Sequence, residues 1–178
     1  MSTPIWLNLA CGTTRLPKPW RNHDIDMDVT NPLPFADNSV QYIVIGHCVE
    51  HLTSADLYGF LEEAQRVLQK GGILRVAFPD VGLIMSRSTM AYCQWLQSKG
   101  WGDGTFRSAV KNIACNHGHM QCLTSQTMRA LLYSLDFSVN EYPVGKSIHE
   151  NLVGVEGHGA VISDEFNRIE TCVLEAVK

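Results

Sequence analysis

The segment Val40 to Gly46 reads VQYIVIG, seven residues without a charge and rich in β-branched and aromatic side chains. Such a run belongs to a strand buried on both faces of a parallel sheet. Behind it, Leu57, Phe60, Leu61, Ala64, Val67 and Leu68 recur on one helical face, with Thr53 and Asp56 at capping-box spacing before them and Gly71-Gly72 after them. Ile73 to Phe78 is a further apolar run, stopped by Pro79. Strand, helix and strand in this order make a right-handed parallel crossover, which commits the chain to the α/β class.

The remaining segments are read against that crossover. Ile5 to Ala10 is a strand ending at Cys11-Gly12, and Asn22 to Ile25 is a weaker second strand; the gap between them is too short for a long helix. Residues 81–122 read as a cap: a helical patch at Met90 to Gln97, a Gly-rich turn at Gly100 to Gly104, and a second short helical patch. Thr124 or Ser125 caps a helix carrying Met128, Leu131, Leu132 and Leu135; Phe137 to Tyr142 then resumes as strand, and Arg168 to Val177 is the last one. The ending is expected to be an antiparallel hairpin at a sheet edge. With 178 residues, 45% of them hydrophobic, and no repeat or linker, a single domain over 1–178 is expected.

Charge and cysteine usage narrow the partners. Fourteen Lys plus Arg against eighteen Asp plus Glu give a net charge of -4, which offers phosphate backbones no bulk attraction, so nucleic acid is not expected as a partner. No stretch has the apolar length of a membrane span or the layout of a secretory leader. Six cysteines without C-x-x-C pairs are expected to be reduced thiols in a cytoplasm.

In an open α/β sheet, ligands bind beyond the carboxyl ends of the strands. There the chain offers the small-residue turn Asn8-Leu9-Ala10-Cys11-Gly12-Thr13, the acids Asp24, Asp26 and Asp28, then Gly46-His47, Glu50-His51 and Pro79-Asp80. The turn has one glycine where a dinucleotide fingerprint needs three, and no phosphate-cradling P-loop is present. A carboxylate after the second strand suits a free ribose, whose two hydroxyls it can accept. The same acids also serve as turn-formers on a solvated loop.

Five blocks in order, Leu7-Asn8-Leu9-Ala10-Cys11-Gly12, Asp24-Ile25-Asp26, Leu33 to Val40, Glu50-His51-Leu52 and Arg66 to Gly72, resemble class I S-adenosylmethionine-dependent methyltransferases of the type 11 kind, above all the small members lacking a full first helix. The resemblance implies a Rossmann-like, mostly parallel sheet with helices on both faces, a shortened first helix and an antiparallel strand at the C-terminal edge. It implies S-adenosylmethionine as cofactor, with Ala10, Cys11 and Gly12 at its methionine end, Asp24 on the ribose hydroxyls with Ile25 beside it, Asp28 and the Val29 amide at the adenine, and Gly46 and His47 closing the pocket. Ala10 and Thr14 replace the family's usual glycines, and Asn8 stands where most members have an acid.

Transfer from a sulfonium needs no nucleophilic residue, and a base matters only for a hydroxyl or protonated amine acceptor. The candidates are His47 first, then His119, with Glu50 and Asp80 also within reach; the acceptor is expected to be a small molecule or another non-nucleic-acid group. The alternative is a non-catalytic binding module or partner subunit that keeps the cofactor fold. His47 to His51 also spells H-x-x-E-H, a zinc pattern, but at a strand-to-helix transition, so no metal is expected and His51 reads as structural. Cys115, His117, His119 and Cys122 have no standard zinc spacing and read as a loop, from which His117 or His119 overhangs the acceptor. Tyr92, Trp95, Trp101 and Phe106 are either acceptor-stacking rings or core of the cap.

Overall fold

The computed structural model describes residues 4–156 and 162–178. Six strands form one sheet: β1 (Ile5–Leu9), β2 (Trp20–Asn22), β3 (Val40–Gly46), β4 (Leu68–Pro79), β5 (Ser138–Tyr142) and β6 (Thr171–Val177), in spatial order β2-β1-β3-β4-β6-β5. The first four are parallel, and β6 runs against both β4 and β5. The antiparallel strand is therefore wedged beside the edge strand, and β5 and β6 are joined by a long connection rather than a tight hairpin.

The crossover forms as its residues require. Helix α1 (Ser54–Val67) starts where the Thr53 hydroxyl accepts the Asp56 amide, and it buries Leu57, Phe60, Leu61, Ala64 and Val67. Each fully buried Leu, Phe or Val there contributes about 1.5–3 kcal/mol before entropy is counted. The helix hands over to β4 at Leu68 without a glycine stop. Gly71-Gly72 lies inside that strand, at the irregular stretch of its pairing with β3. A Cβ on Gly72 would stand 2.8 Å from the Gln69 carbonyl, so the bulge requires glycine. Arg66 closes the unit by donating to Asp37 at 2.7 Å and to the carbonyls of Phe35 and Leu33, tying the segment before β3 to the helix.

The two sheet faces are covered differently. Leu7, Leu9, Ile43, Ile45, Leu74, Val76, Phe78, Cys172 and Leu174 share a cluster with α1 and with α5 (Ser125–Ser134). Residues of the opposite alternation, Trp20, Tyr42, Val44 and Ile73, cluster with Leu152 and Val155 of the segment after β5, whose described residues up to 156 contain a 3-10 turn, Glu150–Leu152. Helices α1 and α5 pack on the first of these faces, while residues 10–19 and 23–39 form turns, so no helix precedes β3 to cover the second. Edge-on packing of Trp6 on Trp20 and Tyr42, with ring centroids 5.4 and 5.2 Å apart, fills part of that face. Buried Arg75 fills more, paired to Glu175 of β6 and to Glu156.

Beyond the carboxyl ends sits a separate helical cap of α2 (Val81–Arg87), α3 (Met90–Ser98), α4 (Phe106–Cys115) and α6 (Asp164–Glu170), with its own core of Ile84, Tyr92, Cys93, Leu96, Ala109, Ile113, Ile162 and Ile169. Three boundaries differ from the sequence reading. The second strand is Trp20–Asn22 rather than Asn22 to Ile25, because Asp26 accepts from the Asp24 amide and pairs with His23, turning the chain there. The last strand starts at Thr171, since Ser163 caps a helix through Glu170, with Asp164 and Glu165 in its first turn. Helix α2, unread in the sequence, is capped by Asp80.

Candidate active site

The turn after β1 has backbone conformations that few residues accept. Ala10 and Gly12 lie in the left-handed region at φ of 48° and 50°. Ala10 thus holds a shape that glycine adopts freely, which costs about 1 kcal/mol and is the physical content of its departure from the family pattern. A Cβ on Gly12 would meet nothing within 4 Å, leaving open space above the turn. Asn8, buried beneath it, donates to the Thr14 carbonyl at 2.9 Å and to Asn22 Oδ1 at 2.8 Å. Asn22 in turn clasps both backbone groups of Leu16. This amide pair does the work of the missing first helix by holding residues 14–16 against β1 and β2.

A cavity of about 180 Å³ opens over the turn, lined by Ala10, Cys11, Gly12, Gly46, His47, Arg75, Ala77 and Glu156 among others. It is smaller than the roughly 300 Å³ at the low end of ligand pockets, room for one end of a nucleoside-sized molecule rather than the whole. The other end has an open shelf. Asp24 reaches back to accept the Gly12 amide at 3.2 Å, and Ile25 beside it is 97% exposed, a bare apolar side chain next to a carboxylate. Burial pushes the Cys11 thiol above its ordinary pKa, so it is a wall rather than a nucleophile.

The three acids separate in role. Asp26 is spent on His23 and the Asp24 amide. Asp28 accepts from the Thr30 amide and hydroxyl, bonds that hold its carboxyl below the usual range, and also from Asn31. It is exposed and acts first as a turn-former, with Val29 buried behind it.

A second cavity, of about 320 Å³, lies between the strand ends and the cap, lined by His47, Glu50, His51, Trp95, Trp101, Asn112, Ile113, His117, His119 and Glu170 among others. His47 therefore borders both cavities. It follows β3 with φ of 51°, a left-handed position for a side chain with a Cβ, and its amide is held by the Ala77 carbonyl at 2.9 Å. Its Nδ1 lies 3.6 Å from Glu50 Oε1 and its Nε2 3.3 Å from the Thr171 hydroxyl. Burial works against charge on Glu50, yet the hydrogen bond and charge of His47 outweigh it and hold the carboxyl below its usual range.

The 116–121 loop brings distant residues to this place. The amides of Met120 and Gln121 donate to the Glu50 carbonyl, and the Gln121 side-chain amide donates to Leu52 O at 2.8 Å. His119 thereby faces His51 with ring centroids 4.9 Å apart, and His117 packs edge-on against Trp101. Of the four cap aromatics, Trp95 and Trp101 line the cavity, Tyr92 is buried with its hydroxyl donating to Glu170, and Phe106 is exposed. Asp80 is no candidate base: both its oxygens accept backbone amides, from Leu83 and Ser125. Sequence reading missed Glu170, Asn112 and Thr171 at this site, which carry no motif and arrive from the cap and β6.

Residues 8–76, fewer than half of the chain, match the family model described as methyltransferase domain, over the stretch that carries the five motif blocks, and the match supports S-adenosylmethionine-dependent methylation of the type 11 kind, with S-adenosylmethionine as the cofactor. No curated protein matches in sequence. Among solved structures, a SAM-dependent methyltransferase from Archaeoglobus fulgidus is similar over 98% of this chain and 86% of its own, with 13% identity and a TM-score of 0.57. A chain from the complex between the Haloferax volcanii Trm112 methyltransferase activator and the putative methyltransferase gives 12% identity, coverage of 98% and 82%, and a TM-score of 0.55. A possible histamine N-methyltransferase from Thermotoga maritima gives 15%, coverage of 100% and 84%, and 0.50. At these identities the likeness establishes the fold.

Proposed function

We propose that the chain methylates a small molecule seated in the 320 Å³ cavity under the cap, with the donor entering over the turn after β1. The observation that carries this reading is His47, which lines both cavities and so marks the boundary where donor and acceptor would meet. When bound, S-adenosylmethionine supplies a sulfonium-activated methyl group. The residues fit it: the smaller cavity at Ala10, Cys11, Gly12 and Gly46 suits the methionine end, the Asp24 carboxylate suits the ribose hydroxyls, and exposed Ile25 gives the purine an apolar face. The Val29 amide and the free lone pairs of Asp28 complete the adenine end. Trp95, Trp101 and Ile113 give the acceptor a dry, flat-walled seat, in which positioning supplies most of the catalysis. His47 is the first candidate to take an acceptor proton, and His119, which lines the same cavity, is the second.

Calorimetric titration with S-adenosylmethionine, S-adenosylhomocysteine and NAD, followed by an S-adenosylhomocysteine release assay over a panel of small acceptors, tests this. Both sulfur compounds are expected to bind and NAD is not. Asp24→Ala removes two charge-assisted hydrogen bonds, about 3 kcal/mol or more, and is expected to weaken both ligands a hundredfold or more. Equal binding by the Asp24→Ala protein would refute the placement of the ribose. An acceptor whose turnover ignores Trp101→Ala would refute the placement under the cap.

A further inference from the structure

We propose that Glu50, His51 and His119 form a binding site for a first-row divalent metal ion on the wall of the acceptor cavity. One donor atom from each lies within 4.8 Å of the other two, close enough for a single ion. Two imidazoles and one carboxylate are a set that zinc, cobalt and manganese accept, with coordination positions left open for water or substrate.

The hydrogen bonds around these groups favour an ion. His51 Nδ1 lies 3.2 Å from the Gly118 carbonyl and His119 Nδ1 lies 2.6 Å from the Ile113 carbonyl. A carbonyl oxygen only accepts, so each Nδ1 carries the ring proton and each Nε2 presents a lone pair. Metal-ligating histidines are oriented by this kind of outer bond. Independently, Glu50 is 2% exposed, and its Oε2 has no hydrogen-bond partner among the described residues. His47 engages the opposite oxygen, Oε1. A buried carboxylate oxygen without a donor is costly, and a cation satisfies it.

The arrangement differs from the zinc pattern read along the sequence. In H-x-x-E-H the two flanking histidines are the ligands, whereas here His47 steadies Glu50 and the second imidazole comes from His119, carried in by the loop bonded to the Glu50 carbonyl. All three groups line the cavity. An ion held there would face an acceptor offering oxygen atoms, a hydroxyl or a pair of them, and this last step rests on the proposed function.

Cobalt(II) titration of the chelator-treated protein, followed by visible absorption, with equilibrium dialysis against zinc chloride, tests the site. One equivalent is expected to bind saturably, and His119→Ala, at a half-exposed loop position, is expected to weaken it roughly tenfold or more. Glu50→Gln, checked for folding by circular dichroism, is expected to do the same, while Cys115→Ser with Cys122→Ser leaves binding unchanged. No saturable binding, equal binding by His119→Ala, or loss in the cysteine variant instead would overturn the proposal. S-adenosylmethionine titration and acceptor turnover on the same preparations separate the two readings. Normal cofactor binding and turnover without metal binding would sink this inference alone; metal binding with no small-acceptor turnover would sink the proposed function alone.

Discussion

The amide of Asn8 is a sharp test of how this chain manages without its first helix. Asn8→Asp restores the acid most relatives carry there and differs by one atom, yet the structure demands that it fail. The side chain is 4% exposed, and its Nδ2 donates two bonds, to Thr14 O and Asn22 Oδ1. A carboxylate would set oxygen against oxygen at both. Asn22 cannot flip to rescue it, because its own oxygen and nitrogen are matched to the Leu16 amide and carbonyl. Two lost hydrogen bonds and an unpaired buried charge together cost about 3–5 kcal/mol. At about 2–4 °C per kcal/mol for a chain of this size, the melting temperature at pH 8 is expected to fall by about 6 °C or more. Asn8→Ala, which loses the bonds without adding the charge, is expected to fall less. The acidic variant binds a proton more tightly folded than unfolded, so its deficit is smallest below about pH 3.9 and grows as pH rises from there through the raised folded value. A melting temperature at pH 8 within about 2 °C of the parent would refute the account of how this turn is held.

Two further outcomes are expected. Arg75→Met leaves Glu156 and Glu175 buried and facing each other, and is expected to cost about 3–5 kcal/mol by urea denaturation, with a smaller loss at pH 5 than at pH 8 as one acid takes a proton; equal loss at both would contradict the assignment. Burial raises the pKa of Glu170 despite the Tyr92 hydrogen bond, so the folded state loses stability as pH rises from the ordinary carboxyl range through the raised value. Glu170→Gln is therefore expected to melt higher than the parent at pH 8 and no higher at pH 4, and the reverse order would refute it.

What could be read from the sequence follows the range of the interaction. Strand β3 was legible to the residue, because apolar runs and β-branched side chains are local signals, and the Thr53 and Thr124 caps were legible because a hydroxyl reaches only two or three residues on. The tight turn after β1 was legible from its small residues, and Asp24 lies beside it, accepting the Gly12 amide. In the cap, the helical patch at Met90 to Gln97 matches α3, whereas α2 went unread because it is short and its buried Ile84 packs within the cap rather than on the sheet. The Glu50, His51 and His119 cluster was not legible, since backbone bonds from Met120 and Gln121 place the loop, and backbone amides carry no sequence signature. Asp28 carries both readings the sequence left open, since the turn it forms with Thr30 and Asn31 takes part of its lone pairs and leaves the rest toward solvent.

The cover over the second sheet face has a thermodynamic consequence. Val155 and Glu156 belong both to that cover and to the wall of the cavity over the turn after β1, and Glu156 is anchored there by Arg75. Cofactor affinity and the seating of this segment are therefore two sides of one equilibrium: whatever loosens the segment weakens the ligand by the same free energy with which the ligand tightens the segment. Saturating cofactor should then protect the chain around Val155 from proteolysis in proportion to its excess over Kd, so that the segment reports occupancy of a site it only partly touches.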